Sequence, residues 1–276
     1  MTKQKRRITE SVKYINSKSP FKKNAALAVI TYKNPAFLKE FTVLKKLKYS
    51  EIPPEFEGNL KENDGELIFA VLKNTDKNVY ILNGRFSFFE GYSMRDAAHP
   101  VYVLKALGVK TLLLIDEAGY LNPRFEVGGV SFIYDHINLM GDNPLIGEND
   151  STLGTRFPDM SNPYDEVLYN KIEKILIDKK FKFYPSVYLG ITGPETETEA
   201  ECRFYREIGS DVLGYSIVPE NLAAIHAGLK CAAFAMLSRE LVADRLKEIT
   251  ATEQLKNRQK AEKYFGIVFK DIVSIL

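Results

Sequence analysis

The chain has no tryptophan, only two cysteines and three histidines among its 276 residues, and no long apolar run. Each shortage removes a class of protein. A membrane helix needs about 18 consecutive apolar residues, so no membrane partner is expected. Cys202 and Cys231 are too few for a disulfide framework and point to a reducing compartment, hence a cytoplasmic location. His99, His136 and His226 are not spaced as a metal pair, so no metal is expected. Charge of one sign is lacking as well. The 38 basic residues meet 36 acidic ones for a net +2, which gives no general field for nucleic acid. A secretory signal needs an apolar stretch after its basic start, and Ile8-Thr9-Glu10-Ser11 does not supply one.

What is present is a globular composition, 45% hydrophobic and 27% charged, in a chain long enough to bury a large core. Residues 1–23 carry eight Lys or Arg against one acid, Glu10. They read as a basic N-terminal extension, solvated and partly helical, ahead of a single domain over 24–276. Short apolar runs ending in glycine or polar clusters predict strands: Ala26–Thr31, Leu67–Leu72, Val79–Leu82, Thr111–Ile115, Val130–Tyr134, Ser186–Ile191, Asp211–Ile217 and Cys231–Leu237. Helical patterns cover Arg95–Leu107, Tyr164–Asp178, Glu197–Ile208 and Pro219–Ala227, and a charged C-terminal helix is expected from near Ser238. Gly108, Gly209 and Gly228 stand where helices should stop. Strands alternating with helices predict an α/β fold: one domain with a mixed, mainly parallel central sheet flanked by helices.

In such sheets ligands bind beyond the carboxyl ends of strands. Four places qualify: Asn83–Tyr92, Asp116–Pro123, Thr192–Glu199 and Gly214–Glu220. Arg85, after the Val79–Leu82 run, raises the question of which anion it holds. The excursion Asn138–Pro163, rich in Gly, Asn, Asp and Pro, reads as a functional or interface loop. His136 is assigned the part of stabilising this excursion, His226 a place in the core or an interface, and Glu90 an internal hydrogen bond.

Taken together, the ordered blocks carry more than any one of them. They are G-R-F-x-x-F-E-G-Y at 84–92, A-G-x-L-N-P-R-F-E-V-G at 118–128, D-H-I-N-L at 135–139 and N-P-L-x-G-x-N-D at 143–150. R-F-P-x-M-S at 156–161, G-P-x-x-E-T-x-A-E at 193–201 and V-P-E at 218–220 follow. In these the chain resembles the trimeric class of purine nucleoside phosphorylases, from about Ala25 to the C-terminus. The resemblance implies phosphorolysis of purine nucleosides to free base and ribose 1-phosphate, a homotrimer, and phosphate as co-substrate with no cofactor. It implies phosphate binding by Arg85 and Ser216, purine binding by Glu197, and a sugar site reached by Phe157 from a neighbouring subunit.

Other positions depart from that pattern. Phe89 replaces a sugar-binding tyrosine and Tyr215 a methionine under the sugar. Ser87 replaces a histidine, and Asp116-Glu117 an Asn-Ala pair beside phosphate. Arg239 stands for the base-binding asparagine, so the implied catalytic pair is Glu197 with a degenerate Arg239. The glycine-rich phosphate loop reads Thr31-Tyr32-Lys33-Asn34-Pro35, Gly58-Asn59-Leu60 lacks the expected histidine, and Lys247–Lys263 holds no histidine. Three functions stay open: an active phosphorylase, a non-catalytic homologue keeping fold and trimer, and a nucleosidase using water. Weakened or lost activity is expected. Two contacts are predicted: Arg85 with a protein carboxylate, Glu117 first, and Arg239 with Glu197 across the space of the purine.

Overall fold

The computed structural model describes residues 1–18, 25–56 and 64–276. Gly58-Asn59-Leu60 therefore lies outside the described residues. Among the described residues, nine strands form one mixed sheet: β1 (Leu27–Thr31), β2 (Phe41–Lys48), β3 (Glu66–Leu72), β4 (Asn78–Asn83), β5 (Thr111–Tyr120), β6 (Val130–Asn138), β7 (Tyr184–Gly190), β8 (Val212–Gly214) and β9 (Lys230–Glu240). Their order is β2-β3-β4-β1-β5-β8-β7-β6-β9, and β9 also pairs with β5. That second pairing closes β5, β8, β7, β6 and β9 into a ring. Among the described residues, six α-helices accompany the sheet: α1 (Lys3–Ser17), α2 (Met94–Ala106), α3 (Glu166–Asp178), α4 (Glu199–Glu207), α5 (Val218–His226) and α6 (Ala251–Ile275).

The central strands are apolar on both faces because helices cover both. All five residues of β1 are buried, as expected for a parallel strand between two layers. Even-numbered β5 residues (Leu112, Leu114, Ala118) pack with residues of α2 and α5. Odd-numbered Leu113 and Ile115 pack with those of α3 and α6. This period of two decides the chemistry further along the same strand.

The structure departs from the sequence reading in four places. Strand β2 was not predicted, because Lys45, Lys46 and Lys48 break its apolar pattern; it is an edge strand, where lysines discourage further pairing. Strand β5 runs on to Tyr120, paired with β9 up to Glu240, so Asp116 and Glu117 lie within a strand instead of beyond one. For the same reason no helix begins near Ser238. Helix α6 starts at Ala251, capped by the Thr250 hydroxyl on Glu253 N–H, with the Glu253 carboxylate returning to Thr250 N–H. Finally, α1 is not solvated all round. Ile8, Ser11 and Ile15 are buried, Arg7 meets Asp96 at 2.8 Å, and the Ser11 hydroxyl lies 3.0 Å from His99 Nε2.

Candidate active site

The ends of β1, β4, β5, β8 and β9 and the N-terminal part of α6 surround one cavity of about 330 Å³. Arg85, Ser87, Phe89, Asp116, Glu117, Tyr215, Ser216 and Arg239 line it, with Tyr32, Lys33 and Gln254. The sequence-predicted residues thus converge, with two exceptions. Glu197 stands behind Arg239, and Phe157 is elsewhere, 86% exposed beside Leu145, Ile146 and Arg156.

Arg85 enters through a turn that needs glycine. Gly84 has φ +112°, and a Cβ there would lie 3.2 Å from Gly65 Cα. The Arg85 guanidinium is almost fully occupied by protein. Its Nε donates to Glu220 Oε1 at 2.9 Å and Nη2 to Glu220 Oε2 at 3.3 Å. Nη1 donates to the Ile115 carbonyl at 2.9 Å and Nη2 to the Ile30 carbonyl at 3.3 Å. Asp116 Oδ1 stands 3.7 Å from Nη1. Asp116 Oδ2 accepts from the Tyr188 hydroxyl at 2.7 Å, and the Tyr188 hydroxyl oxygen accepts from the Ser216 N–H at 3.2 Å. Burial pushes both the Asp116 and Glu220 carboxyls above the ordinary range, against the attraction of Arg85. Two carboxylates around one guanidinium leave this corner with an excess of negative charge.

Arg85 therefore has carboxylate partners, but Glu117 is not among them. Adjacent residues of a strand point to opposite faces, so Asp116 turns toward α5 and Glu117 toward α6. There Glu117 accepts from Gln254 Nε2 at 2.7 Å and from Arg258 Nη1 at 3.0 Å. The missed residues are Glu220, Tyr188, Gln254 and Arg258. Glu220 had one usable signal: an acid in the first turn of a helix begun by Val218-Pro219. The others sit in strands or a long helix with nothing local to mark them.

At the opposite end, Arg239 Nη1 is 3.3 Å from Glu197 Oε2, and Nη2 is 3.5 Å from Oε1. The Tyr215 hydroxyl joins them, donating to Glu197 Oε1 at 2.8 Å and accepting from Arg239 Nη2 at 3.0 Å. Arg239 and Glu197 are 8% and 6% exposed, so the pair is nearly dry. Glu197 is free for this contact because Thr198 and Glu201 cap α4 instead. Burial pushes the Tyr215 hydroxyl up to about 12, which keeps it a proton donor. Phe89 packs edge-on to the Tyr215 ring at 6.1 Å.

The remaining positions are quieter. Ser87 N–H donates to the Glu90 carboxylate at 3.3 Å, the internal hydrogen bond expected for Glu90. The Tyr32 ring lies 4.6 Å from the Arg258 guanidinium and occupies the wall where small residues would expose backbone N–H groups. His136 meets the Tyr164 hydroxyl at 3.3 Å, and His226 meets Tyr102 at 2.9 Å and Asn149 at 3.0 Å. No histidine lines the cavity. Among the described residues, no group of three or more His, Cys, Asp or Glu could hold a metal ion, and no helix is long and apolar enough to cross a membrane.

The sequence model of the Phosphorylase superfamily matches residues 29–274. The chain is 43% identical over 229 residues to purine nucleoside phosphorylase 1 of Bacillus subtilis (strain 168), covering 83% of this chain and 84% of that protein. It is 37% identical over 210 residues to the Bos taurus purine nucleoside phosphorylase, covering 74% and 72%. The fold superposes on Schistosoma mansoni purine nucleoside phosphorylase in complex with inosine with a TM-score of 0.87 at 29% identity, covering 98% and 96%. With these identities, this coverage and a shared fold from end to end, the chain belongs to the purine nucleoside phosphorylase family.

Proposed function

We propose that this chain is a purine nucleoside phosphorylase homologue in which phosphorolysis of purine nucleosides is severely weakened or lost. Phosphorolysis sets phosphate against the sugar and stabilises negative charge developing on the departing purine. The observation that carries the reading is the Arg239–Glu197–Tyr215 contact. The groups that would receive a purine satisfy one another across its space. Splitting a buried ion pair costs about 3–5 kcal/mol, which is roughly a hundredfold to a few thousandfold in affinity. The excess negative charge around Arg85 works in the same direction by opposing a phosphate dianion. The test is incubation with inosine, guanosine and adenosine, with and without phosphate, followed by measurement of free base. No release is expected from any of them. Phosphate-dependent release at ordinary rates overturns the reading, and release without phosphate supports a nucleosidase.

A non-catalytic homologue that keeps fold and assembly is the matching positive reading. Phe157, 86% exposed, and Ile146, 62% exposed, are apolar side chains with little protein cover on one loop, and such groups mark interfaces. They support a homotrimer in which Phe157 reaches a neighbour, since a cyclic assembly repeats one heterologous contact. Light scattering after size exclusion is expected to give three times the chain mass of 31.3 kDa, and Phe157→Ala to lower it. A monomer at micromolar concentration counts against the assembly. Cys202 and Cys231 are both free and buried, which supports a reducing, cytoplasmic setting. Residues 1–23 are assigned as a basic N-terminal extension ahead of the single domain of residues 24–276.

A further inference from the structure

The contacts on the α6 side of the cavity belong to neither the base end nor the Arg85 corner. Glu117 is held there by Gln254 and Arg258, at 2.7 and 3.0 Å. Arg258 Nε is also 3.1 Å from Glu262 Oε1, and Glu262 Oε2 accepts the Ala36 N–H at 2.7 Å. Glu262 is 3% exposed and fixed from both sides. Glu117 is different. Its side chain is 19% exposed, it lines the cavity, and both its oxygens are bound by donors from a single helix. Lys33 lines the same cavity and forms no ion pair among the described residues. Arg258 therefore meets two carboxylates, and only one of them, Glu117, stands at the cavity wall.

We propose that Glu117 is a built-in anion: its carboxylate occupies a small-oxyanion site formed by Arg258 and Gln254, and masks that site in this chain. The donors match such a ligand. A guanidinium and a carboxamide present N–H groups to two oxygens of one group, as they do to a bound carboxylate or phosphate. The site is separate from the Arg85 corner, because Asp116 and Glu117 lie on opposite faces of β5. The inference rests on the reading above in one respect only, that the parent chain does not hold phosphate well.

Calorimetry with inorganic phosphate tests it on the parent, Glu117→Ala, Glu117→Gln and Glu117→Ala/Arg258→Met. The parent is expected to bind in the millimolar range or weaker. Glu117→Ala should bind at least about thirtyfold more tightly, since the carboxylate that fills the site and repels a second anion has been removed. The double variant should return to the parent level. Should Glu117→Ala fail to fold, the near-isosteric Glu117→Gln is expected to gain about tenfold by the same removal of charge. Affinity unchanged from the parent in every folded Glu117 variant overturns the proposal, as does tight binding that survives Arg258→Met. Base release by the parent would overturn the proposed function alone and leave this comparison of variants standing.

Discussion

Arg239→Asn is expected to turn a chain that does not retain hypoxanthine into one that does. In the parent, the guanidinium lies against both Glu197 and Tyr215 and engages each of them. A purine entering there must separate a nearly dry ion pair, at about 3–5 kcal/mol. Asparagine is shorter and neutral, so it vacates that space and leaves Glu197 as an acceptor for a ring N–H. The Tyr215 hydroxyl still donates to Glu197 at 2.8 Å and keeps the carboxylate from being wholly unpartnered. The variant should melt lower than the parent, because a buried charge has lost its counter-ion. Millimolar hypoxanthine or guanine should then raise its melting temperature by several degrees while leaving the parent unmoved. One kcal/mol of linked binding energy corresponds to about 2–4 °C in a chain of this size. A variant that melts lower and gains nothing from either base removes the idea that Arg239 closes the base site.

Arg85→Met is expected to cost about 3–5 kcal/mol of stability near neutral pH. Methionine keeps an unbranched apolar stem, but Glu220 loses two hydrogen bonds and its ion-pair partner, and Asp116 loses the nearby cation. The sign of the pH dependence follows from burial. Both carboxyls are held above their ordinary values of 3.8 and 4.5, so the folded state keeps its protons longer than the unfolded chain does. Stability from such groups is fully present below the ordinary carboxylate range and is lost as pH rises through the folded values. Without Arg85 to oppose burial, the folded values climb further. The deficit of the variant should therefore be smallest near pH 4 and widen toward pH 8. Urea unfolding at several pH values measures it. A deficit under about 1 kcal/mol, or one that does not change with pH, means that Arg85 is not the group holding these carboxylates in place.

Much of the fold was legible because it rests on local rules. Ala26–Thr31 up to its final threonine, and Leu67–Leu72 and Val79–Leu82 throughout, are apolar, and a strand covered on both faces has to be. Gly108, Gly209 and Gly228 end helices with φ of 97°, 100° and 67°, a conformation that disfavours a Cβ. Strand β2 escaped notice because an edge strand's outward residues answer to solvent. The start of α6 was misplaced for a related reason. The residues from Ser238 to Glu240 hold a strand because β5 lies beside them, and no local pattern announces a partner more than a hundred positions away.

At the site, sequence alone determined the family through seven ordered blocks, and it identified the positions where chemistry had changed. The Arg239–Glu197 contact could be anticipated from side-chain length, charge and the ability of a guanidinium to meet a carboxylate. Only the tertiary structure decided which carboxylates meet Arg85. Asp116 and Glu117 are adjacent in sequence and identical in charge, and strand alternation sends one toward α5 and the other toward α6. Glu220 reaches Arg85 because α5 packs beside the end of β4, across 135 residues of chain. Arg258 reaches Glu117 because α6 packs on β9, the strand paired with β5, across 141 residues. Charge pairing falls off steeply with distance, and those distances are set by how helices seat on the sheet.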